Sequence, residues 1–364
     1  MNNQFYQLSV SNIIIETKDT VSISFQIPAE LKTIFQFTSG QYITIKKEMN
    51  GKEERRAYSM SSSPFDQDFT VSVKKVKGGK LSTYFHDKLK VGETLEVMPP
   101  TGRFFTFLDA ANRKSYYLFA AGSGITPIIS IIKSILEIEP KSEVFLLYGN
   151  RNEENIIFKS KLDEIEKKYE GQLEVQYILS QPTETKKGGL FGAFKKSVSN
   201  WEGMKGRIND KNAAIFLDRY PSSTAQSEYF ICGPGNMIEA VIYELTGRGV
   251  DKKHIHQEHF FTDDNKKVQT ESHNGPSKMK VTINGETFET EIAANKTILD
   301  VLIAMKKNPP FSCQNGACST CMAKLIEGEV EMANCYALEE DEIADGYILT
   351  CQAKPKTPYL EVKY

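Results

Sequence analysis

Along the first hundred residues apolar and polar side chains alternate in short runs. TVSISFQI (20–27), QYITIKK (41–47) and FTVSVKKV (69–76) each repeat every second residue and are separated by Gly, Pro and Ser turns. Runs of this length predict half-buried strands, and several at this spacing predict a small antiparallel β-barrel. The pattern changes near Asp109. Residues 116–120 form an unbroken apolar run suited to a buried strand, the loop AGSGITP follows, and Ile128, Ile131, Ile132, Ile135 and Leu136 then recur at helical spacing. VFLLYGN (144–150), LEVQYILS (173–180) and EYFICGPG (228–235) predict further strands, with a charged amphipathic helix over about 152–169. Strands alternating with helices predict a parallel, doubly wound α/β sheet.

Residues 183–207 interrupt that alternation with Gly pairs, several lysines and the single tryptophan. They are expected to be a long solvated surface excursion, with a short amphipathic helix that docks on a partner or membrane as the alternative. Residues 262–277 are polar and without apolar periodicity, as a linker is. Beyond them the Asn284-Gly285 pair between alternating runs predicts a hairpin, and TILDVLIAM (297–305) a helix. The predicted architecture is multidomain: 1–108, 109–262, a linker over 263–277, and 278–364.

Composition narrows the class. In 364 residues, 40% are hydrophobic and 25% charged, as in a globular chain, and the formal net charge of -2 points to neither nucleic acid nor an anionic membrane as partner. Thirteen acidic residues face nine basic ones from Lys278 onward, so the last domain is acidic, with Glu339, Glu340, Asp341 and Glu342 in one run. This run is either a solvated turn or a surface that steers an acceptor protein. The polar start predicts no signal peptide, and the apolar stretch 116–136 is cut by Gly122, Ser123, Gly124 and Pro127, so a strand, a loop and a buried helix explain it better than a transmembrane span. A cytoplasmic protein is expected, in which clustered cysteines bind metal more often than they form disulfides.

Cys313, Cys318 and Cys321 are spaced C-x4-C-x2-C, with Cys351 thirty residues beyond Cys321. This is the plant-type 2Fe–2S spacing. Two irons bridged by sulfide need four thiolates from a tightly wrapped loop, and the small residues Gly316, Ala317, Ser319 and Thr320 let backbone N–H groups reach the sulfurs. A zinc site would show two close ligand pairs instead. Cys335 fits no ligand slot and is expected to be a small core residue. Earlier in the chain, Arg56-Ala57-Tyr58-Ser59 precedes Ser-rich turns, and Gly78-Gly79 with Ser82 opens a short helix, a natural phosphate cradle. Arg56 can hold phosphate in a bidentate contact, Tyr58 can pack on a flat ring system, and the Ser59 hydroxyl can bond a redox-active ring nitrogen. By itself R-x-Y-S fits a surface ion pair and a barrel plug equally well. Gly122, Gly124, Thr126 and Pro127 sit between strand and helix, where doubly wound sheets bind nucleotides. Cys232, Gly233 and Pro234 end a later strand, and Met237 enters the next helix. Cys232 alone reads as a buried strand cysteine; beside the Gly122–Pro127 loop it reads as facing the cofactor. Arg151, with Arg207 as second candidate, can reach a ribose phosphate, which favours NADPH over NADH.

In this order the three motifs resemble the ferredoxin–NADP reductase superfamily fused to a C-terminal plant-type 2Fe–2S ferredoxin domain, over nearly the whole chain. LLYGNR, ICGPGNM, FSCQNGACSTCMAKLIEGEV and GYILTCQA are similar to the reductase subunits of ring-1,2-phenylacetyl-CoA epoxidases. The resemblance implies an FAD-binding barrel, an NAD(P)-binding α/β domain and a β-grasp-like α+β ferredoxin domain. It further implies a di-iron oxygenase as acceptor, in phenylacetate catabolism. Ser59, Cys232 and Glu258 take the catalytic positions, and Glu258-His259-Phe260 matches the family's Glu-x-Phe beside the flavin. Electrons would pass from NADPH through FAD to the cluster and on to the partner. The alternatives are a reductase for another hydroxylase or desaturase, and a non-catalytic iron–sulfur subunit; the intact 122–127 loop argues against the second.

Overall fold

A computed structural model describes residues 4–187, 196–260 and 275–364. The first six strands are β1 (Tyr6–Thr17), β2 (Thr20–Gln26), β3 (Tyr42–Met49), β4 (Lys52–Ser59), β5 (Phe69–Lys74) and β6 (Thr94–Thr101), with helix α1 (Lys80–Asp87) between the last two. They pair antiparallel in the order β4-β3-β6-β1-β2-β5. The Met60–Val71 bridge just past β4 joins the two edges, so the sheet closes into the predicted barrel. On β2, Val21, Ile23 and Phe25 enter the barrel core, while Ser22 and Ser24 on the other face bond Ser72 and Thr70 of β5 at 2.7 and 2.8 Å. Alternation in the sequence thus becomes an apolar interior and a hydroxyl ladder outside it.

The second unit holds β7 (Ser115–Ala121), α2 (Ile125–Ile138), β8 (Glu143–Asn150), α3 (Lys159–Lys168) and β9 (Leu173–Leu179). A two-stranded ribbon follows, β10 (Glu184–Lys187) with β11 (Lys196–Ser199), then β12 (Met204–Lys205), α4 (Asp210–Arg219), β13 (Ser227–Gly233), α5 (Gly235–Gly247) and β14 (Ile255–His259). The sheet order is β12-β9-β8-β7-β13-β14, all parallel. The chain moves outward from β7 in one direction and returns on its other side with β13, so a crevice opens at the carboxyl ends of β7 and β13. The continuous helix expected over 152–169 does not form. Ile156, Ile157 and Phe158 are all buried, and three consecutive side chains cannot share one helix face. The chain instead makes a one-turn 3-10 helix at Glu153–Asn155, reverses at Phe158 with φ 62°, and only then starts α3. The described part of the 183–207 excursion is the β10–β11 ribbon and β12, with no helix; its Gly188-Gly189 pair lies outside the described residues, as does most of the expected linker.

The last unit is a mixed sheet of β15 (Ser277–Ile283), β16 (Glu286–Ile292), α6 (Ile298–Ala304), β17 (Met322–Glu327), a small pair β18 (Val330–Met332) with β20 (Ala353–Pro355), α7 (Glu340–Ala344), β19 (Tyr347–Leu349) and β21 (Tyr359–Lys363). The five-stranded order is β16-β15-β21-β17-β19, with β15 and β21 parallel. The Asn284-Gly285 turn has both φ angles positive and joins β15 to β16 as predicted. Thr297 and Asp300 form a reciprocal capping box that starts α6. No helix among the described residues is long and apolar enough to cross a membrane.

Candidate functional site

The barrel rim, the switch-point crevice and the cysteine loop converge. Asn50 and Gly51, both at positive φ, close the β3–β4 hairpin and set its register, which pairs Tyr42 with Ser59 directly across the strands. Both side chains are buried at the rim. Ser59 Oγ donates to Glu258 Oε2 at 3.2 Å, and Tyr42 Oη lies 2.9 Å from Thr320 Oγ1. One rim pair therefore reaches the α/β domain on one side and the cysteine loop on the other. Between them lies a cavity of about 330 Å³ whose walls include Tyr58, Ser59, Gly79, Glu258, Phe260 and Cys318.

One end of the cavity is built by the Gly79 turn and the start of α1. Gly79 precedes α1, and a Cβ there would lie 2.5 Å from Ser82 Oγ, so only glycine fits. Ser82 Oγ accepts from the Val76 N–H at 3.3 Å. Gly78, at φ 77°, shapes the turn but is exposed and lies outside the cavity wall. Glu54 binds Lys80 and also pairs with Arg56 at 3.3 Å; these contacts hold the Glu54 carboxyl below its usual range. Tyr58 packs against Phe85, centroids 5.6 Å apart.

β14 supplies the opposite wall. Burial pushes the Glu258 carboxyl up to about 8, against the smaller opposing effect of the Ser59 hydrogen bond. His259 is buried and its imidazole is depressed to about 4 by desolvation. It stacks on Tyr336 at 4.3 Å, and its Nδ1 has no hydrogen-bond partner among the described residues. Phe260 lines both this cavity and the nucleotide crevice. Cys232 is fully buried in the core that α2 covers and is not among the residues lining either cavity; its register partner on β14 is Glu258, which does line the first.

The crevice encloses about 890 Å³. Gly122, at φ 55°, and Gly124 carry the loop against β13; a Cβ on Gly124 would sit 2.0 Å from the Cys232 carbonyl oxygen. Thr126 Oγ1 donates to the Ser123 carbonyl at 3.0 Å, and Pro127 occupies the first turn of α2, where its missing N–H costs nothing. Gly233, Pro234 and Met237 form the facing wall. Arg151 and Arg207 are both exposed on the crevice lining, and neither makes an ion pair among the described residues. Asn150 Nδ2 and Asn152 Oδ1 are buried there without hydrogen-bond partners among the described residues.

In the cysteine loop, the Cys313 thiol interacts with those of Cys318 and Cys351, and Cys351 with that of Cys321. No three His, Cys, Asp or Glu side chains among the described residues surround one point as a single metal ion needs. The thiol contacts instead run in one connected row, 318–313–351–321, a four-thiol set that fits a two-iron cluster. The Asn315 N–H donates to Cys313 Sγ at 3.5 Å, and Gly316, at φ 79°, passes where a Cβ would meet the Asn334 carbonyl at 2.4 Å. Cys335 is half-buried and packs against the small core that also holds Cys321 and Cys351, and its thiol is not among those that interact with Cys313 or Cys351. Of the residues that shape this site, Tyr42, His259's partner Tyr336, and Asn315 were not expected. The Asn50-Gly51 turn is the signal that gives Tyr42, since a two-residue turn fixes the register.

Three family models match: an oxidoreductase FAD-binding domain over residues 7–106, an oxidoreductase NAD-binding domain over 118–242 and a 2Fe-2S iron-sulfur cluster binding domain over 281–356. The chain is 34% identical to a component of the 1,2-phenylacetyl-CoA epoxidase of Escherichia coli K12, covering 99% of this chain and 98% of that one. It is 33% identical to the ferredoxin reductase component of 3-ketosteroid-9-alpha-monooxygenase from Rhodococcus rhodochrous, covering 98% and 96%. The fold is that of phthalate dioxygenase reductase, with a TM-score of 0.59 at 23% identity over 99% of this chain and 98% of that one.

Proposed function

Because this chain belongs to the family of oxygenase reductase components that carry FAD-binding, NAD-binding and 2Fe-2S domains in one polypeptide, we propose that it takes electrons from NADPH and delivers them to the di-iron oxygenase that epoxidises phenylacetyl-CoA. The single observation behind the electron route is the shared cavity, walled by the barrel motif, by Glu258 and by the Cys318 loop. Cytoplasmic placement agrees with six free cysteines. The domain limits we assign are 1–108, 109–262 and 278–364.

Flavin accepts a hydride's two electrons and releases them singly, and a 2Fe–2S cluster takes one at a time. The residues supply binding and orientation. Gly79, Ser82, Arg56 and Lys80 would hold flavin phosphate, with Glu54 paired to both cations near the helix start. Tyr58 and Ser59 would bind the flavin ring. Gly122, Gly124, Gly233 and Pro234 let the nucleotide backbone approach closely, and Arg151 and Arg207 bind the 2′-phosphate. Phe260 occupies the position between the cavities, where it must move aside for the nicotinamide. Cys313, Cys318, Cys321 and Cys351 would hold the irons. Cys232 acts from beneath, by packing against Glu258.

Anaerobic addition of NADPH to the purified protein should bleach flavin and cluster absorbance together; iron without acid-labile sulfide would overturn the reading. The acceptor is tested by reconstituting turnover with the phenylacetyl-CoA epoxidase oxygenase subunits. Near-equal identity to the ketosteroid monooxygenase component supports a second reading, service to another oxygenase, and failure with the epoxidase would favour it.

A further inference from the structure

Tyr42 belongs to the barrel, yet its hydroxyl ends inside the cysteine loop of another domain. It is 4% exposed, forms part of the flavin cavity wall, and lies 2.9 Å from Thr320 Oγ1. Thr320 Oγ1 in turn lies 3.4 Å from Cys318 Sγ. The ring is held in place: a Cβ on Gly102 would stand 3.0 Å from both Tyr42 Cδ1 and Cε1, so Gly102 leaves room for that ring alone. Its cross-strand neighbour Ser59 is bonded to Glu258, which fixes the other side of the rim.

The direction of the chain follows from its end. A cysteine that ligates iron is a thiolate and can only accept, so Thr320 donates to sulfur and its oxygen is left to accept from Tyr42. Hydrogen bonds in series polarise each other, and a donor to a thiolate favours the more negative, reduced form of a cluster. We infer that Tyr42 is a positioning residue for electron transfer: through Thr320 it strengthens the hydrogen bond to Cys318, so the docked flavin domain itself makes the cluster easier to reduce. The electron comes from the reduced flavin, it changes a ferric pair to a ferric–ferrous pair, and no proton or covalent bond changes at Tyr42. This rests on the reading of Cys318 as a cluster ligand.

The test is a dye-mediated redox titration of the full, cofactor-loaded chain, following the cluster by electron paramagnetic resonance and the flavin by absorbance. In Tyr42→Phe the cluster potential should move to a more negative value while the flavin potential moves less. Thr320→Val should lower it further, and adding Tyr42→Phe to Thr320→Val should have no additional effect, because Tyr42 acts only through that hydroxyl. Thr320→Ser keeps the hydroxyl and should retain sensitivity to Tyr42→Phe, which preserves the test if the valine variant takes up no cluster. An unchanged cluster potential in Tyr42→Phe, equal shifts of flavin and cluster, or additive effects in the double variant would each overturn the inference. A wild-type chain that forms no cluster would instead overturn the functional reading beneath it.

Discussion

Two residues carry chemistry whose sign can be fixed. Burial holds the Glu258 proton up to about 8, against an ordinary value of 4.5. Between those two values the folded chain keeps a proton that the unfolded chain has released. Glu258's contribution to stability therefore falls as pH rises from about 4.5 to about 8, and it is constant above that. At neutral pH the protonated carboxyl can donate, and that donor is lost as pH rises through about 8. Single-turnover flavin reduction by NADPH should accordingly slow across that range in wild type and stay flat in Glu258→Gln; a parallel decline in both would remove Glu258 from the step. Arg151 belongs to the same scale. A charge-assisted hydrogen bond to phosphate is worth about 1.5–3 kcal/mol, so Arg151→Ala should lower the NADPH-over-NADH preference in kcat/KM by about ten- to a hundredfold. An unchanged ratio would transfer the role to Arg207. What the sequence conveyed at this scale was residue type. The Ser59–Glu258 contact needed two domains folded together, and the depth of Cys232 is decided by the elements packed around its strand, which no local pattern encodes.

Among the elements, strands whose two faces differ were legible and segments buried on every side were not. β2 and β5 read correctly because a polar face alternates with an apolar one. The 152–169 stretch read as one helix because its charges recur at helical spacing, yet Ile156, Ile157 and Phe158 are buried together and break it at Phe158. Turn chemistry was legible wherever backbone geometry admits few residues: Asn284-Gly285, Gly79 and the Gly122–Gly124 loop all lie where they were expected. Of these turns the tightest is at Gly124, where a methyl group would lie 2.0 Å from the Cys232 carbonyl and a rigid strand cannot retreat. Gly124→Ala should therefore part the loop from β13 and cut the rate of hydride transfer, while the cluster's visible spectrum stays intact because the cysteine loop is a separate element. Spectra before NADPH and stopped-flow traces after it measure the two effects independently. On the cysteine loop, Cys321→Ser should abolish the cluster and spare flavin reduction, and Cys335→Ser should leave iron and sulfide content unchanged. Loss of the cluster in the second variant would mean that the ligand set is wrong.

At the scale of the whole molecule the two domain junctions are built from different material. The barrel is tied to α2 by partly buried contacts, with Ser130 Oγ donating to the Ser62 carbonyl at 2.6 Å and Lys133 paired with Asp66 at 2.5 Å, the lysine 11% exposed. The ferredoxin domain is held by Tyr42 and the His259–Tyr336 stack near the cavity, and outside it by charges on α7. The acidic run was expected either to sit idle in solvent or to steer an acceptor. Two of its members instead face this chain: Glu342 takes the Arg103 guanidinium, which also donates to the Ala337 carbonyl at 3.2 Å, and Glu340 takes Lys252 at 3.0 Å. Lys252 and Glu340 are 72% and 89% exposed, so solvent leaves that pair nearly worthless, whereas the forked Arg103 contact is half-covered and can reach about 1 kcal/mol. Arg103→Ala should thus loosen the docked ferredoxin domain by up to about fivefold in population, slow cluster reduction after the flavin is reduced, and lower the salt dependence of that step, since screening acts on exposed charge within about 8 Å. Lys252→Ala should change little. If cluster reduction in wild type ignores salt between low and high ionic strength, or if Arg103→Ala leaves the rate as it was, these charges do not hold the domain, and the buried contacts at Tyr42, at His259 and between Arg55 and Phe311 hold it without them.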